Sequence, residues 1–141
     1  MAQNVVFLPS SGASGGILMA ASERFFKLGN PHLTPNSVSA TLTILADNKE
    51  WSLTGVYGPQ SDNDKMLFMQ EITNLKQLML PAWLLLGDFN LIYRTQDKNN
   101  GRLNLTLLNG FESTIDNLLL APIELKGKKY ILGAMINRIR R

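Results

Sequence analysis

One short stretch of the chain, residues 83–90, reads Trp83-Leu84-Leu85-Leu86-Gly87-Asp88-Phe89-Asn90. Its first four residues are apolar without alternation, which is typical of a strand that is covered on both faces of a sheet. The run ends at Gly87, and the polar residues Asp88 and Asn90 follow two apart. Residues two apart in an extended chain point the same way, so we expect Asp88 and Asn90 to share one face while Phe89 turns toward the core.

Further strands precede this stretch. Apolar and polar residues alternate over residues 37–45, which is the period expected when one face of a sheet is buried. After a turn at residues 47–48, residues 51–57 resume the extended pattern, and together the two segments predict an antiparallel hairpin. Two shorter apolar runs, at residues 4–8 and 16–21, are separated by a loop rich in serine and glycine. They indicate two more strands.

Two segments of the chain have helical spacing. The first begins at Ser61, has two acidic residues in its first turn, and could extend for about five turns before Pro81 ends it. The second covers about residues 104–119, with a buried stripe formed by Leu107, Leu108, Phe111, Ile115 and Leu118. Residues 123–125 and 128–131 then flank a final turn at Lys126 and Gly127. Many strands with few helices predict an α/β (α+β) layered domain.

The composition limits the classes of function. The 141 residues are 45% hydrophobic and 18% charged, as expected for one globular domain. The absence of cysteine excludes disulfides, thiolate zinc sites and cysteine nucleophiles. A net charge of +3 is compatible with a polyanionic partner and equally with an ordinary solvated surface. The pattern contains neither a membrane span nor a secretory signal, so we expect an intracellular protein.

A second polar strand end lies about thirty residues before the first, at Val56-Tyr57-Gly58-Pro59. The hydroxyl of Tyr57 could donate a hydrogen bond to a phosphate oxygen. The carboxylate and carboxamide of the first strand end suit a phosphate and its attacking water, because one accepts a proton and the other donates hydrogen bonds. Each tetrapeptide alone is more typical of turn chemistry. The two together are a candidate phosphate site.

Four motifs follow one another along the chain: Gly15-Gly16-Ile17-Leu18, Val56-Tyr57-Gly58-Pro59, the stretch at residues 83–90, and Asp97-Lys98-Asn99-Asn100-Gly101. Their order resembles that of a known family, the endonuclease domain of plant LINE-type (non-LTR) retrotransposons, up to about residue 130. This family belongs to the DNase I-like endonuclease/exonuclease/phosphatase superfamily. The resemblance implies a partial DNase I-like four-layer β-sandwich flanked by helices, and Mg²⁺-dependent hydrolysis of phosphodiesters.

The resemblance also implies a role for each candidate residue. Asp88 would orient or deprotonate the attacking water, and Asn90 and Tyr57 would hold the phosphate. DNA is the implied partner, and the nucleus is the implied location. The loop that follows supplies the implied contacts to the DNA, although lone basic residues of this kind are more often only solvated. These contacts are Lys98, Asn100 and Arg102.

Other parts of the family's site have no match in this sequence. They are an asparagine on a first strand, a metal-binding glutamate and a Ser-Asp-His cluster. The single histidine, His32, stands in a turn-like context upstream of Tyr57 and does not replace the missing one. We therefore assign no metal ligand, expect Mg²⁺ to bind weakly or not at all, and interpret residues 1–130 as a partial domain that is catalytically inactive.

Three alternatives to this interpretation remain open. The chain could retain weak phosphodiesterase activity, or act beside a second chain that supplies the missing groups. It could instead be a non-catalytic nucleic-acid-binding or protein-interaction module that descends from the nuclease. A phosphatase for small phosphoesters is a more distant alternative, and the resemblance of the loop at residues 97–101 to the plant family argues against it.

The tail of the chain, residues 131–141, diverges from the family. Where the family continues with Thr-Trp-Ser-Asn, this chain has Ile131-Leu132-Gly133-Ala134-Met135. One choice of codons for these residues, read one frame over, encodes the family's tetrapeptide. We therefore expect the tail to be the product of a frameshift.

Overall fold

The computed structural model describes residues 4–10, 15–90, 105–123 and 132–137. Within these ranges the chain forms two β-sheets and two α-helices. The helices are α1 (Asp62–Leu75), which continues into a 3₁₀ turn at Lys76–Leu78, and α2 (Leu105–Asn117). The strands are β1 (Val5–Leu8), β2 (Ile17–Ala20), β3 (Phe26–Thr34), β4 (Ser37–Ile44), β5 (Glu50–Tyr57), β6 (Trp83–Asp88), β7 (Leu120–Ile123) and β8 (Leu132–Asn137).

The larger sheet has the strand order β3-β4-β5-β6-β8-β7, and β1 and β2 form a separate antiparallel pair. β4 and β5 are antiparallel, which confirms the predicted hairpin. β5 and β6 are parallel, with α1 as the crossover between them. A parallel pair needs a crossover because the chain must return to the end of the sheet from which it started. The mixed α/β class predicted from the sequence is confirmed.

α1 begins where the sequence predicts. Ser61 is the N-cap, and its Oγ accepts a hydrogen bond from the backbone N–H of Asp64 at 3.2 Å. Asp62 and Asp64 lie in the first turn, near the positive end of the helix dipole. The α-helix ends at Leu75, earlier than the predicted five turns, because the chain tightens into a 3₁₀ turn before Pro81. Neither described helix is long and apolar enough to cross a membrane.

β3 is a strand that the sequence pattern does not predict. Gly29, Asn30 and Pro31 interrupt its alternation, and the strand accommodates them as an irregularity in register, with Asn30 at a φ of 50°. The expected turn at His32 is therefore wrong, because His32 pairs with Ser39 inside the sheet. Its side chain is exposed, as expected.

The main core lies between the larger sheet and the two helices. Four of the five side chains predicted for the buried stripe of α2 are buried, and the fifth, Leu108, is not among the described side chains. α1 and the inner residues of β5, β6 and β7 complete this core and hold β6 against the helices. Its members are Val56, Phe68, Met69, Ile72, Leu75, Trp83, Leu85, Phe89, Leu107, Phe111, Ile115, Leu118 and Leu120.

The polar face of β4 is also buried, which corrects the prediction that one face alone is covered. Ser37 and Ser39 are 0% and 1% exposed. The hydroxyls of Ser39 and Thr54 are hydrogen-bonded at 2.8 Å, and Trp83 Nε1 donates to Thr54 Oγ1 at 2.8 Å. Buried polar groups are costly when they lack partners. This chain of hydrogen bonds is what allows a polar strand face inside the core.

The small sheet packs on the opposite face of the larger sheet. Met19 is buried there against Leu28, Val38 and Ala40. β1 lies over β3 and β4, whereas β2 lies over β4 and β5. The described layers are therefore helices, larger sheet and small sheet. The outward side chains of the small sheet include three exposed apolar residues, Val5, Phe7 and Leu18.

β6 is fully covered on one face only. Trp83 and Leu85 are buried beneath the helices, but on the other face Leu84 is half-buried and Leu86 is 38% exposed. The predicted burial of both faces is therefore wrong at Leu86. The reason is that the small sheet extends only as far as β5, so that β6 reaches beyond its cover.

The last two described strands, β7 and β8, lie on either side of the predicted final turn in the chain. β7 and β8 are antiparallel and cover residues 120–123 and 132–137, whereas the sequence predicts residues 123–125 and 128–131. Residues 124–131 lie outside the described part of the chain. β8 belongs to the divergent tail and is inserted between β6 and β7. The frameshift itself stays a prediction.

We expect Thr54→Val to lower the free energy of unfolding by about 2–3 kcal/mol, although valine has nearly the same shape. The substitution removes the acceptor of Trp83 Nε1 and the partner of the Ser39 hydroxyl, both inside the core. Urea unfolding followed by circular dichroism measures the change. Thr43→Val on the half-buried end of β4 is the matched control, with an expected change under about 0.5 kcal/mol. Equal effects of the two substitutions would contradict the role of the buried network.

Candidate functional site

Tyr57 and Asp88 lie side by side at the ends of β5 and β6. The parallel register pairs them directly. Paired residues of neighbouring strands point to the same face of a sheet, and alternation places Tyr57 on the same face as Gly55, which lies against Ile17 of β2. The side chains of Tyr57 and Asp88 therefore lie on the face of the larger sheet that packs against the small sheet. The sequence predicts both residues as candidate site residues, and the fold places them next to each other.

Asn90 joins this pair through a turn. Its backbone N–H donates to Asp88 Oδ1 at 2.9 Å, and its φ is 53°. Its side-chain amide donates to the carbonyl oxygen of Gly58, and the N–H of Gly58 donates to the carbonyl oxygen of Asp88 at 2.6 Å. The shared face expected from an extended chain is thus wrong for Asn90, because the positive φ turns it out of the strand. Its hydrogen bonds tie the ends of β5 and β6 together.

Two glycines make this close approach of the strand ends possible. Gly87 has a φ of 139°, and a Cβ added there would lie 2.1 Å from the carbonyl oxygen of Val56. A Cβ on Gly58 would lie 2.2 Å from the carbonyl oxygen of Phe89. Both contacts are with backbone, which cannot move aside without breaking the ladder. The candidate site therefore depends on glycine at these two positions.

Phe89 anchors the turn in the core, as the sequence predicts. It is 1% exposed, and its ring centroid lies 6.3 Å from that of Phe68 and 6.1 Å from that of Phe111. Aromatic pairs at such distances stabilise beyond the area that they bury. Asp88 and Asn90 flank Phe89 in the chain. They are therefore held in place by a buried ring that packs against both helices.

A groove of about 830 Å³ adjoins the strand ends. Pro9, Gly15 and Pro59 line it next to the candidate site, and α1 lines its other wall. Gly15 also contacts the ring of Tyr57, because a Cβ there would lie 2.2 Å from a ring carbon. Of the described residues that line the groove, Asp64 and Glu71 are acidic and none is lysine or arginine. The groove therefore repels a phosphate more than it attracts one.

Glu71 has a structural role that the sequence does not reveal. Its carboxylate accepts hydrogen bonds from the hydroxyl of Thr34, from the N–H of Asn36 at 2.9 Å and from the side-chain amide of Asn36 at 3.0 Å. These bonds fix the turn between β3 and β4 against α1. The carbonyl of Asn36 in turn accepts from the N–H of Tyr57 at 3.0 Å, so that α1 helps to position the candidate tyrosine. The sequence around Glu71 does not indicate these contacts, because Thr34 and Asn36 lie more than thirty residues away in the chain.

The resemblance implies Mg²⁺, and the donors in the described part of the chain do not fit it. No group of three or more His, Cys, Asp or Glu side chains stands together there. At the strand ends, Asp88 is a single carboxylate whose Oδ1 already accepts from Asn90. Both oxygens of Glu71 are occupied by Thr34 and Asn36.

The candidate DNA contacts cannot be placed in this site. Lys98, Asn100 and Arg102 lie outside the described residues. The described candidate site contains Tyr57, Asp88 and Asn90, and its one formally charged side chain is negative.

Comparison with solved structures identifies the fold. The endonuclease domain of TRAS1, a telomere-specific non-LTR retrotransposon, is similar with a TM-score of 0.68 and 13% identity, over 96% of this chain and 68% of that one. An endonuclease/exonuclease/phosphatase family protein from Bacteroides thetaiotaomicron gives 0.57 and 10%, over 94% and 60%. D. rerio TDP2, complexed with a single-strand DNA product, gives 0.55 and 10%, over 95% and 62%. No family model and no curated protein matches the sequence.

The chain therefore has the fold of the endonuclease/exonuclease/phosphatase superfamily, which confirms the predicted partial DNase I-like fold. It spans about 60–68% of the length of these three structures. At 10–13% identity the likeness establishes the fold alone.

We expect Gly87→Ala to lower the free energy of unfolding by more than about 2 kcal/mol, because the added Cβ meets the backbone of β5 at a φ that alanine rarely adopts. Gly29→Ala is the matched control, since a Cβ at Gly29 meets nothing within 4 Å. This control should change the stability by less than about 1 kcal/mol. Urea unfolding measures both variants, and a Gly87→Ala variant as stable as the control would refute the close approach of the two strand ends.

Proposed function

We propose that this chain is part of a DNA endonuclease domain of the LINE retrotransposon type, of plant origin, that holds a DNA phosphate at Tyr57, Asp88 and Asn90 but does not hydrolyse it unaided. The observation that carries the proposal is the pairing of Tyr57 with Asp88 at the ends of two parallel strands, with Asn90 folded back onto β5. A nuclear location is part of the same proposal, because DNA is the proposed partner.

The similar structures supply the substrate class of the proposal. The TRAS1 structure is the endonuclease domain of a non-LTR retrotransposon, and the TDP2 structure contains a single-strand DNA product. They support DNA for this chain together with the motif order at the two strand ends, which resembles that of retrotransposon endonucleases.

Each side chain has a definite part in the proposed binding. The Tyr57 hydroxyl donates a hydrogen bond to a phosphate oxygen. Asn90 keeps its amide on the carbonyl of Gly58 and thereby fixes the turn that follows Asp88. Asp88 uses Oδ1 for the turn, and its other oxygen serves as the acceptor for a water molecule. One carboxylate can thus orient a water, but it also repels the phosphate beside it.

The proposed lack of hydrolysis follows from charge. Cleavage of a phosphodiester requires cationic groups or metal ions that neutralise the charge developing on the phosphate. At the described strand ends the one formal charge is that of Asp88, and the adjoining groove adds Asp64 and Glu71. The donors that could hold Mg²⁺ do not fit. Binding without turnover is the function that this arrangement supports best.

A non-catalytic binding module is the second candidate, and one observation favours it. The side chains of both Asp88 and Asn90 make hydrogen bonds with the backbone of the strand ends, as residues that only shape a strand end do. In this case DNA binding would depend on salt but not on the identity of residue 88. The two candidates therefore differ in the response of binding to a substitution at Asp88.

We expect the purified, folded chain to leave supercoiled plasmid intact with Mg²⁺ or Mn²⁺ and yet to bind a fluorescent single-stranded oligonucleotide. Asp88→Asn should tighten this binding about fivefold, because two like charges about 4 Å apart in water repel by about 1 kcal/mol. Asparagine keeps an oxygen that can accept the Asn90 N–H, so the turn survives. Plasmid nicking and fluorescence anisotropy measure the two properties.

Asp47→Asn is the matched control for this experiment. Asp47 makes the same type of hydrogen bond, from Lys49 N to its Oδ1 at 3.0 Å, in an exposed turn between β4 and β5. It should leave the affinity unchanged within about twofold. Equal tightening by both variants would mean that only the net charge matters and would favour the second candidate. Nicking that requires metal and is lost in Asp88→Ala, but not in Asp47→Ala, would overturn the proposed inactivity.

A further inference from the structure

The backbone of Tyr57 is held from two sides. Its N–H donates to the carbonyl oxygen of Asn36 at 3.0 Å, and the parallel register pairs it with Asp88 of β6. The next residue, Gly58, donates its N–H to the carbonyl oxygen of Asp88 at 2.6 Å. Asn36 is itself fixed by the carboxylate of Glu71. The Cα atom of Tyr57 therefore cannot shift without breaking hydrogen bonds to its neighbours.

The ring of Tyr57 has a close neighbour beside the small sheet. Gly15 lies two residues before the start of β2. A Cβ on Gly15 would lie 2.2 Å from Cε2 of the Tyr57 ring, 2.9 Å from Cδ2 and 3.1 Å from Cζ. Cζ is the ring carbon that carries the hydroxyl. The backbone of Gly15 therefore packs against the end of the ring from which the hydroxyl projects.

The segment that carries Gly15 is also held in place. A Cβ on the next residue, Gly16, would lie 2.8 Å from the carbonyl oxygen of Leu8 and 3.0 Å from the backbone nitrogen of Ser10. Ile17 pairs with Leu8 in the antiparallel register of β1 and β2. Close packing and strand pairing thus fix Gly16 and Ile17 against the end of β1. This places the backbone of Gly15 at the Tyr57 ring.

A side chain at position 15 would displace the ring, because the backbones on both sides are held. Ordinary van der Waals contact begins at 3.4 Å, so Cε2 would have to move from 2.2 Å to that distance, by about 1.2 Å. The hydroxyl moves with the ring, because the aromatic ring is rigid. Hydrogen bonds between oxygen atoms tolerate a range of only about 0.5 Å in length. The absence of a side chain at residue 15 therefore determines where the Tyr57 hydroxyl can donate.

The contact also orders the tyrosine before a ligand arrives. Immobilising a side chain on binding costs conformational entropy, and a side chain that is already held in its bound position avoids this cost. A ring packed against Gly15 and anchored through Asn36 is held in this way.

We infer that Gly15 is a positioning residue for the Tyr57 hydroxyl, which it keeps in the place where a phosphate oxygen accepts its hydrogen bond. The inference rests on the proposed function, in which this hydroxyl contacts the phosphate. Gly15 acts through Tyr57. The motif Gly15-Gly16-Ile17-Leu18, which supplies no candidate side chain, thereby contributes to the candidate site.

The contact between Gly15 and Tyr57 is tested first without DNA, in the wild-type chain. We expect nuclear Overhauser cross-peaks between the α-protons of Gly15 and the ring protons of Tyr57 in the free protein, because the two groups are packed together. This measurement needs no substitution, so it stands even if a variant fails to fold. The absence of these cross-peaks would overturn the inference and leave the proposed phosphate contact of Tyr57 standing.

A double-mutant cycle then tests the role of the contact in binding. Anisotropy of a fluorescent single-stranded oligonucleotide measures the affinity, and circular dichroism confirms that each variant is folded. Tyr57→Phe removes the hydroxyl and should weaken binding about tenfold, as expected for one hydrogen bond to a charged group. Gly15→Ala should weaken binding about fivefold to tenfold in the wild-type background. In the Tyr57→Phe background the same change should alter the affinity by less than about twofold, because the hydroxyl that Gly15 positions is absent.

Gly29→Ala is the matched control, since a Cβ at Gly29 meets nothing within 4 Å, and it should leave the affinity within about twofold in both backgrounds. A Gly15→Ala variant that binds like the wild type, while Tyr57→Phe binds weakly, would overturn the inference alone. An equal loss from Gly15→Ala in both backgrounds would also overturn it, because Gly15 would then act independently of the hydroxyl. If Tyr57→Phe itself binds like the wild type, the proposed phosphate contact fails and the inference fails with it.

Discussion

The parallel pairing of β5 with β6 is the interaction on which the rest of the structure depends. It brings Tyr57 beside Asp88, and it requires α1 as a crossover that must return along the sheet. The same register buries Trp83 and Leu85 under the helices and permits Trp83 to reach the hydroxyl of Thr54. The pairing ends where Gly58 and Gly87 let two backbones come within contact distance. The pairing of β5 with β6 and the two glycines therefore determine both the fold and the candidate site.

Sequence periodicity predicts the parts of this structure in which local pattern and burial agree. The hairpin of β4 and β5, the start of α1 at Ser61 and the stripe of α2 are of this kind. β3 was not predictable, because Gly29, Asn30 and Pro31 resemble a loop and their place in a strand depends on pairing with β4. The burial of Ser39 was not predictable either, since it depends on a partner fifteen residues away, Thr54.

The candidate site could also be predicted in part from local sequence, and in part it depends on residues that are distant in the chain. That Tyr57 and Asp88 meet could be predicted from two polar strand ends and from the resemblance of their motifs to one family. The hydrogen bond from the Asn90 amide to Gly58 depends on the positive φ of Asn90 and on the burial of Phe89. No local sequence pattern indicates the φ or the burial. The incomplete cover of β6 follows from the width of the small sheet, which is a property of the assembled layers.

The proposed function requires that the ends of β5 and β6 face a phosphodiester. The most direct test is a titration of the ¹⁵N-labelled chain with a thymidine dinucleotide in EDTA, followed by amide chemical shifts. Among the described residues, we expect the largest shifts at Gly58 and Asn90, with the exposed turns at residues 23–25 and 45–47 unaffected. Shifts of equal size at those turns, or shifts that spare Gly58 and Asn90, would contradict it.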